Sequence, residues 1–189
     1  VIRKGRRCYF YLKTTDPETY KVLMEFSMKG KLFQIGRLKL MVESIEVQNH
    51  DLEDFPQMLE RITVQLESPT FFYDHSENKL EEFTPENFFR YQCRKFRTLQ
   101  LLNLEAEQLF PYMWIMNKSV KESWGFLTNN QDQNNVLSFK GLVGRITFKV
   151  VGEPAMRKLV GKILRLSEFT GIGTRTSMGF GHNSLHSIL

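Results

Sequence analysis

Gly171-Ile172-Gly173-Thr174-Arg175-Thr176-Ser177-Met178-Gly179-Phe180-Gly181 puts four glycines between the end of an amphipathic helix and a final strand. Glycine accepts positive φ and lets a second backbone come close, so this spacing builds a loop whose amides can face an anion. A helix C-cap followed by a glycine-rich turn is the other reading of the same residues. The stretch is not a Walker-type phosphate loop, because the Lys-Ser ending is absent and the glycines follow a helix instead of opening one.

Working back from that loop, Pro154 opens a helix whose inward stripe is Met156, Leu159, Val160, Ile163 and Leu166 or Ser167. Val136–Phe139 and Leu142–Val150 read as two strands hinged at Gly141 or Gly144. Thr84, Pro85 and Glu86 are an N-cap, a first-turn proline and a dipole-matched acid, and they start a helix expected to run to about Leu102. Ile62, Val64 and Leu66 alternate with polar residues in a strand entering Ser68-Pro69-Thr70. Between helix and strands, the polar Asn129–Asn135 stretch reads as a hairpin tip or surface loop. The order strand, helix, strand, strand, helix, strand is that of a ferredoxin-like split unit, here residues 56–189.

Residues 1–55 read as the C-terminal half of a similar unit. Arg7–Thr14 is an expected strand, and Asp16-Pro17-Glu18 starts a helix with Tyr20, Leu23, Met24 and Ser27 inward and Gly30 at its end. Leu32–Ile35 and Leu38–Val47 follow as strands, with a bulge expected near Glu43 where the apolar phase changes. Polar, acidic Asn49–Pro56 supplies the boundary. The fold class is therefore α+β, with tandem ferredoxin-like (RRM-like) domains of which the first is incomplete. Val1 in place of Met, with Arg3, Lys4, Arg6 and Arg7 behind it, gives the expectation of a missing N-terminal part.

The 189 residues, 41% hydrophobic and 25% charged, suffice for a core without disulfides or a structural metal. No apolar run approaches the roughly 20 residues of a membrane-spanning helix. Cys8 and Cys93 lack paired spacing, which points to reduced thiols, a cytoplasmic location and no zinc site. The net charge of +5 is uneven: Phe139–Leu189 carries eight Lys or Arg against two Glu, and the rest of the chain is nearly neutral. Such polarity suits a polyanion-binding face, because Lys and Arg release counterions on contacting phosphates.

Three cationic stripes stand out. Arg90, Arg94 and Arg97 recur at helical spacing opposite Phe89, Cys93 and Phe96; Arg145, Thr147 and Lys149 share one strand face; Lys158, Lys162 and Arg165 form the third. With Lys140 and Arg175 they point to an RNA surface. Phe71, Phe72 and Tyr73 could stack bases, although core packing suits most phenylalanines, and Trp114 and Trp124 read as core or interface residues. His50, His75 and His186 read as surface or strand residues; His182, next to Gly181, is the only histidine placed for acid or base work beside the loop.

The glycine pattern of residues 171–181 resembles the C-terminal signature of the RAMP superfamily of CRISPR proteins, and is most similar to that of its repeat-processing endoribonuclease family. Ser68-Pro69-Thr70, Phe139-Lys140-Gly141 with Gly144, and Glu168-Phe169-Thr170 extend the resemblance over Arg61–Asn183. The resemblance implies two ferredoxin-like domains, no cofactor, and metal-independent cleavage of precursor CRISPR RNA, in which a 2′-hydroxyl attacks the adjacent phosphate. It implies RNA contact by Gly171, Gly173, Arg175, Ser177, Gly179 and Gly181, a catalytic histidine in the part preceding this chain, and other Cas subunits as partners of an antiviral defence system. A non-catalytic RAMP subunit that holds guide RNA, and a protein-interaction module with no RNA role, are the alternatives.

Overall fold

The computed structural model describes residues 17–28, 32–35, 38–41, 60–74, 79–129 and 132–187. The chain divides into two compact units, Val1–Asp51 and Leu52–Leu189. In the first, α1 (Pro17–Met28) precedes an antiparallel hairpin of β1 (Leu32–Ile35) and β2 (Leu38–Met41), with Leu32 opposite Met41. Tyr20, expected to point inward, is 40% exposed, in keeping with a ring that carries a hydroxyl for water. The strand expected at Arg7–Thr14, the Gly30 stop, residues 42–47 with their bulge, and His50 lie outside the described residues.

The second unit begins with β3 (Arg61–Thr70) and a short hairpin of β4 (Phe72–Asp74) and β5 (Lys79–Glu81). Then come α2 (Pro85–Thr98), β6 (Met113–Asn129), β7 (Asp132–Val150), α3 (Pro154–Thr170) and β8 (Asn183–Ser187). Strands β6-β7-β3-β8 form one antiparallel sheet. With β4 and β5 set aside as an insertion, the two central strands are the first and third of a strand-helix-strand-strand-helix-strand unit. That is the ferredoxin-like arrangement read from the sequence.

One expectation fails inside this frame. The two strands read at Val136–Phe139 and Leu142–Val150 are a single strand, β7, and its hairpin partner β6 comes from a stretch to which the sequence reading assigns no element. Lys118, Ser119, Lys121, Glu122 and Ser123 hide β6 from a search for alternation. β6 pairs with β7 alone, and in this stretch only Val120 packs against the core, so little apolar period is needed. The tip falls between Asn129 and Asp132, within the polar stretch expected to turn.

Alternation does operate where the sheet meets the helices. Ile62, Val64 and Leu66 of β3 and Ile146, Phe148 and Val150 of β7 are buried against Phe88, Phe89 and Phe96 of α2 and Val160, Ile163 and Leu164 of α3. The Thr84 side chain accepts from the Asn87 amide at 3.2 Å, so α2 starts where the cap sequence places it, but it ends at Thr98, short of Leu102. Burial pushes the Cys93 thiol up to about 11, which leaves it an inert core group at neutral pH.

Phe88 is fully buried, edge-on to Phe89 and against Phe148. Phe88→Ala should cost about 3–5 kcal/mol in urea unfolding, whereas exposed Leu99→Ala should stay within roughly 0.5 kcal/mol. Equal losses for the two variants would contradict this core assignment.

Candidate nucleic-acid interface

The glycine stretch is fixed by an irregularity in β3. Leu66 pairs with Gly144 and Thr70 with Leu142, so β3 spends four residues where β7 spends two. Pro69, which has no amide to give a ladder, sits in that bulge. The carbonyls of Pro69 and Phe71 then accept from the amides of Gly181 and Thr174 at 3.1 and 2.9 Å. Ser68 Oγ accepts from the His182 amide at 2.8 Å, and the Tyr73 amide donates to Thr174 Oγ1 at 3.1 Å. Ser68-Pro69-Thr70 is thus the cradle of the glycine loop.

This geometry corrects the picture of a loop whose amides all face an anion. The amides of Gly171, Ile172, Thr174, Gly179 and Gly181 donate to Ser167, Gly181, Phe71, Thr176 and Pro69 carbonyls. Gly173 has φ +84, and a Cβ there would run into the Phe71 carbonyl; its lack of a side chain permits close approach to protein backbone. Gly179 differs. At φ +88 it is exposed, and a Cβ would meet nothing within 4 Å.

At the apex Arg175 adopts the left-handed conformation (φ 58), with its guanidinium 4.5 Å from the centre of the Phe139 ring. Phe139 stacks on Phe71 at 5.4 Å, and Phe180 meets both edge-on, with Gly125 leaving room for the Phe180 ring. The aromatics therefore tie loop, β3 and hairpin together and hold Arg175 in place. Phe71 and Phe72 are buried and serve packing, while Ser177 stands exposed beside Gly179.

Just past the loop, His182 Nδ1 lies 2.8 Å from Glu67 Oε2, and Glu67 Oε1 accepts from Ser184 Oγ at 2.7 Å. The imidazole is 38% exposed. A proton on Nδ1 is the one that Glu67 can accept, which makes Nε2 the other ring nitrogen, the one not committed to the carboxylate. Residue spacing identified His182, but its carboxylate partner lies across a strand pair and carries no local signal.

Arg145, Thr147 and Lys149 project from the sheet face opposite the helices, since Ile146, Phe148 and Val150 between them are buried. Register puts Arg61 and Trp114 beside Lys149, and Gln65 and Ser119 beside Arg145. Lys149 Nζ lies 5.7 Å from the Trp114 ring centre, and Arg145 donates to Gln65 Oε1 at 2.9 Å. Trp114 is 44% and Trp124 55% exposed, which removes the core half of their core-or-interface reading: Trp114 lies on the open face, and Trp124 is opposite Lys140 on the hairpin.

The three stripes do not form one surface. Arg90, Arg94 and Arg97 lie on the outer side of α2, across the helix layer from Arg145 and Lys149. Arg97 is held by Glu105, Asn103 and the Leu104 carbonyl, and Arg90 lies over Phe110. Arg165 is paired with Glu168, and Lys140 with Glu122 at 2.6 Å. The cations brought near the loop and open face are Arg175, Arg145, Lys149 and Arg61. His75 lies outside the described residues, and His186 is exposed on β8 opposite Thr63.

An antiparallel ferredoxin-like sheet with a cationic open face and a glycine loop stitched to its first strand defines an α+β fold of the RAMP type. The family model for the CRISPR-associated endoribonuclease Cas6 matches residues 64–183, and the chain belongs to that family. Among solved structures, the product complex of a Cas6 (TTHA0078) has a TM-score of 0.66 at 15% identity, covering 88% of this chain and 71% of that one. The same Cas6 in a substrate-mimic complex gives 0.64 at 16%, covering 90% and 76%. The product of a Cas6-related gene from Pyrococcus furiosus gives 0.55 at 13%, covering 92% and 65%. No curated protein matches by sequence. Among the described residues no helix is long and apolar enough to cross a membrane.

Gly173→Ala should lower the melting temperature well beyond the effect of Gly179→Ala, since only the former drives a methyl into backbone while both share positive φ. Thermal unfolding by circular dichroism measures the difference, and equal shifts would remove the clash with Phe71 as the reason for Gly173.

Proposed function

We propose that this protein binds CRISPR repeat RNA with the glycine loop and the open sheet face, and cleaves it without a metal by attack of a ribose 2′-hydroxyl on the adjacent phosphate. The family match through residues 64–183 carries this reading, because it spans both the loop and the strand bearing Arg145 and Lys149. In the reaction the O2′–P bond forms and the P–O5′ bond breaks, giving a cyclic phosphate and a 5′-hydroxyl. One proton leaves O2′ and one is delivered to O5′. The resemblance puts the catalytic histidine in a part ahead of this chain; within the chain His182, beside Glu67, is the weaker candidate for moving a proton, and Arg175 is the cation placed to balance phosphate charge. Trp114, next to Lys149, supplies a ring on which an unpaired base can stack. Other Cas proteins are the partners that would receive the product in the cytoplasm.

The test is incubation of the protein with its repeat RNA in excess chelator. Cleavage should persist, and a 2′-deoxy substitution at the scissile nucleotide should stop it while binding remains. Cleavage unchanged in His182→Ala would leave proton transfer to the histidine implied ahead of this chain, and cleavage lost with affinity retained would place it beside the loop. Arg145→Ala with Lys149→Ala should weaken binding and reduce the slope of log affinity against log salt by about 0.7 for each phosphate no longer neutralised. Tight RNA binding with no cleavage would favour the guide-RNA-holding reading, and loss of cleavage in chelator would refute a metal-free reaction.

A further inference from the structure

Beneath the glycine loop, α2 supplies two polar side chains three residues apart. Gln92 Nε2 donates to the Gly171 carbonyl at 2.9 Å, and Lys95 Nζ donates to the same oxygen at 2.7 Å and to the Thr170 carbonyl at 3.2 Å. These carbonyls belong to the end of α3, where the last oxygens have no helical partner and the dipole is negative, so a cation there is favoured. Gly171 is also where the chain leaves α3 with φ +74. Gln92 is fully buried, with its Oε1 unpaired among the described residues, a cost that a leucine of similar size would avoid.

We propose that Lys95, aided by Gln92, is a positioning residue for the RNA-binding glycine loop: its ammonium clamps the Thr170 and Gly171 carbonyls and so sets where the loop departs from α3. The inference rests on the RNA-binding reading above and assigns a role to a side chain that touches no RNA.

Among the described residues no carboxylate pairs with the Lys95 ammonium. Three charged residues on the elements that meet it have other contacts: Glu168 of α3 holds Arg165 and the Leu185 amide, Arg97 of α2 holds Glu105, and Arg175 of the loop lies on Phe139. Desolvation alone draws the Lys95 pKa from 10.5 to about 7. The ammonium is therefore present below about pH 7 and lost as pH rises through it. A polyanion on the loop favours the charged form, so RNA binding should take up a proton near neutrality, and affinity should fall as pH rises.

The test measures repeat-RNA affinity from pH 6 to 8.5 for the wild type and Lys95→Met, which keeps the stem without the donor. Lys95→Met should bind about tenfold more weakly at pH 6, with the gap closing toward pH 8.5. Equal affinities, or a gap independent of pH, would overturn the proposal, the latter reducing Lys95 to a structural role. If Lys95→Met does not fold, lysine-labelled wild-type protein titrated by NMR with and without RNA decides instead. A Lys95 midpoint that rises on RNA binding supports the clamp, and an unmoved midpoint refutes it. Failure of the wild type to bind RNA at any pH would overturn the proposed function itself, a separate outcome.

Discussion

The candidate interface depends on a pair of backbone hydrogen bonds: Pro69 and Phe71 carbonyls to Gly181 and Thr174 amides. They exist because β3 bulges opposite β7, and the bulge tolerates a proline that a regular central strand would reject. Through these bonds an eleven-residue loop with four glycines takes its shape from the sheet. The aromatic cluster of Phe71, Phe139 and Phe180 forms on the same join and carries Arg175 with it.

The rest of the unit divides labour by strand alternation. One row of β3 and β7 is committed to the helices, which leaves the other free to carry Arg61, Arg145 and Lys149 without desolvating them. Of the acidic groups near this face, Glu67 is engaged with His182 and Ser184. Cationic groups on the helices have a different setting. Arg97, Arg157 and Arg165 each meet a glutamate, so part of the cationic charge on the helices is countered in place.

Much of the second unit was legible because its signals are local. The Thr84-Pro85 cap, the Ile62-Val64-Leu66 alternation and the inward stripe of α3 each fall within a few residues, and each element lies where those patterns put it. β6 carries a weak signal because only Met113, Ile115 and Val120 of it meet the core, while polar residues from Asn117 to Ser123 break the hydrophobic period. The glycine pattern was recognisable, but its physical meaning was only half legible: the amides of Thr174 and Gly181, expected to meet a ligand, meet residues about a hundred positions away. Lys95 illustrates the same limit. It sits in a helix between two arginines, and only the fold separates the one that turns inward.

That long separation has a bearing on how the protein is made. The segment Ser68–Phe71 and the glycine loop lie at nearly opposite ends of the second unit, so their join has high contact order and waits for almost the whole unit to be available. On a ribosome adding about 5–20 residues per second, β3, α2 and the β6-β7 hairpin emerge before the loop that completes the site. The cradle precedes its occupant, and a nascent chain carries the cationic strand face before it has the loop. Any affinity that needs both arrives only once the glycine loop has followed α3 out of the ribosome, so the candidate interface is the last part of the unit to be completed.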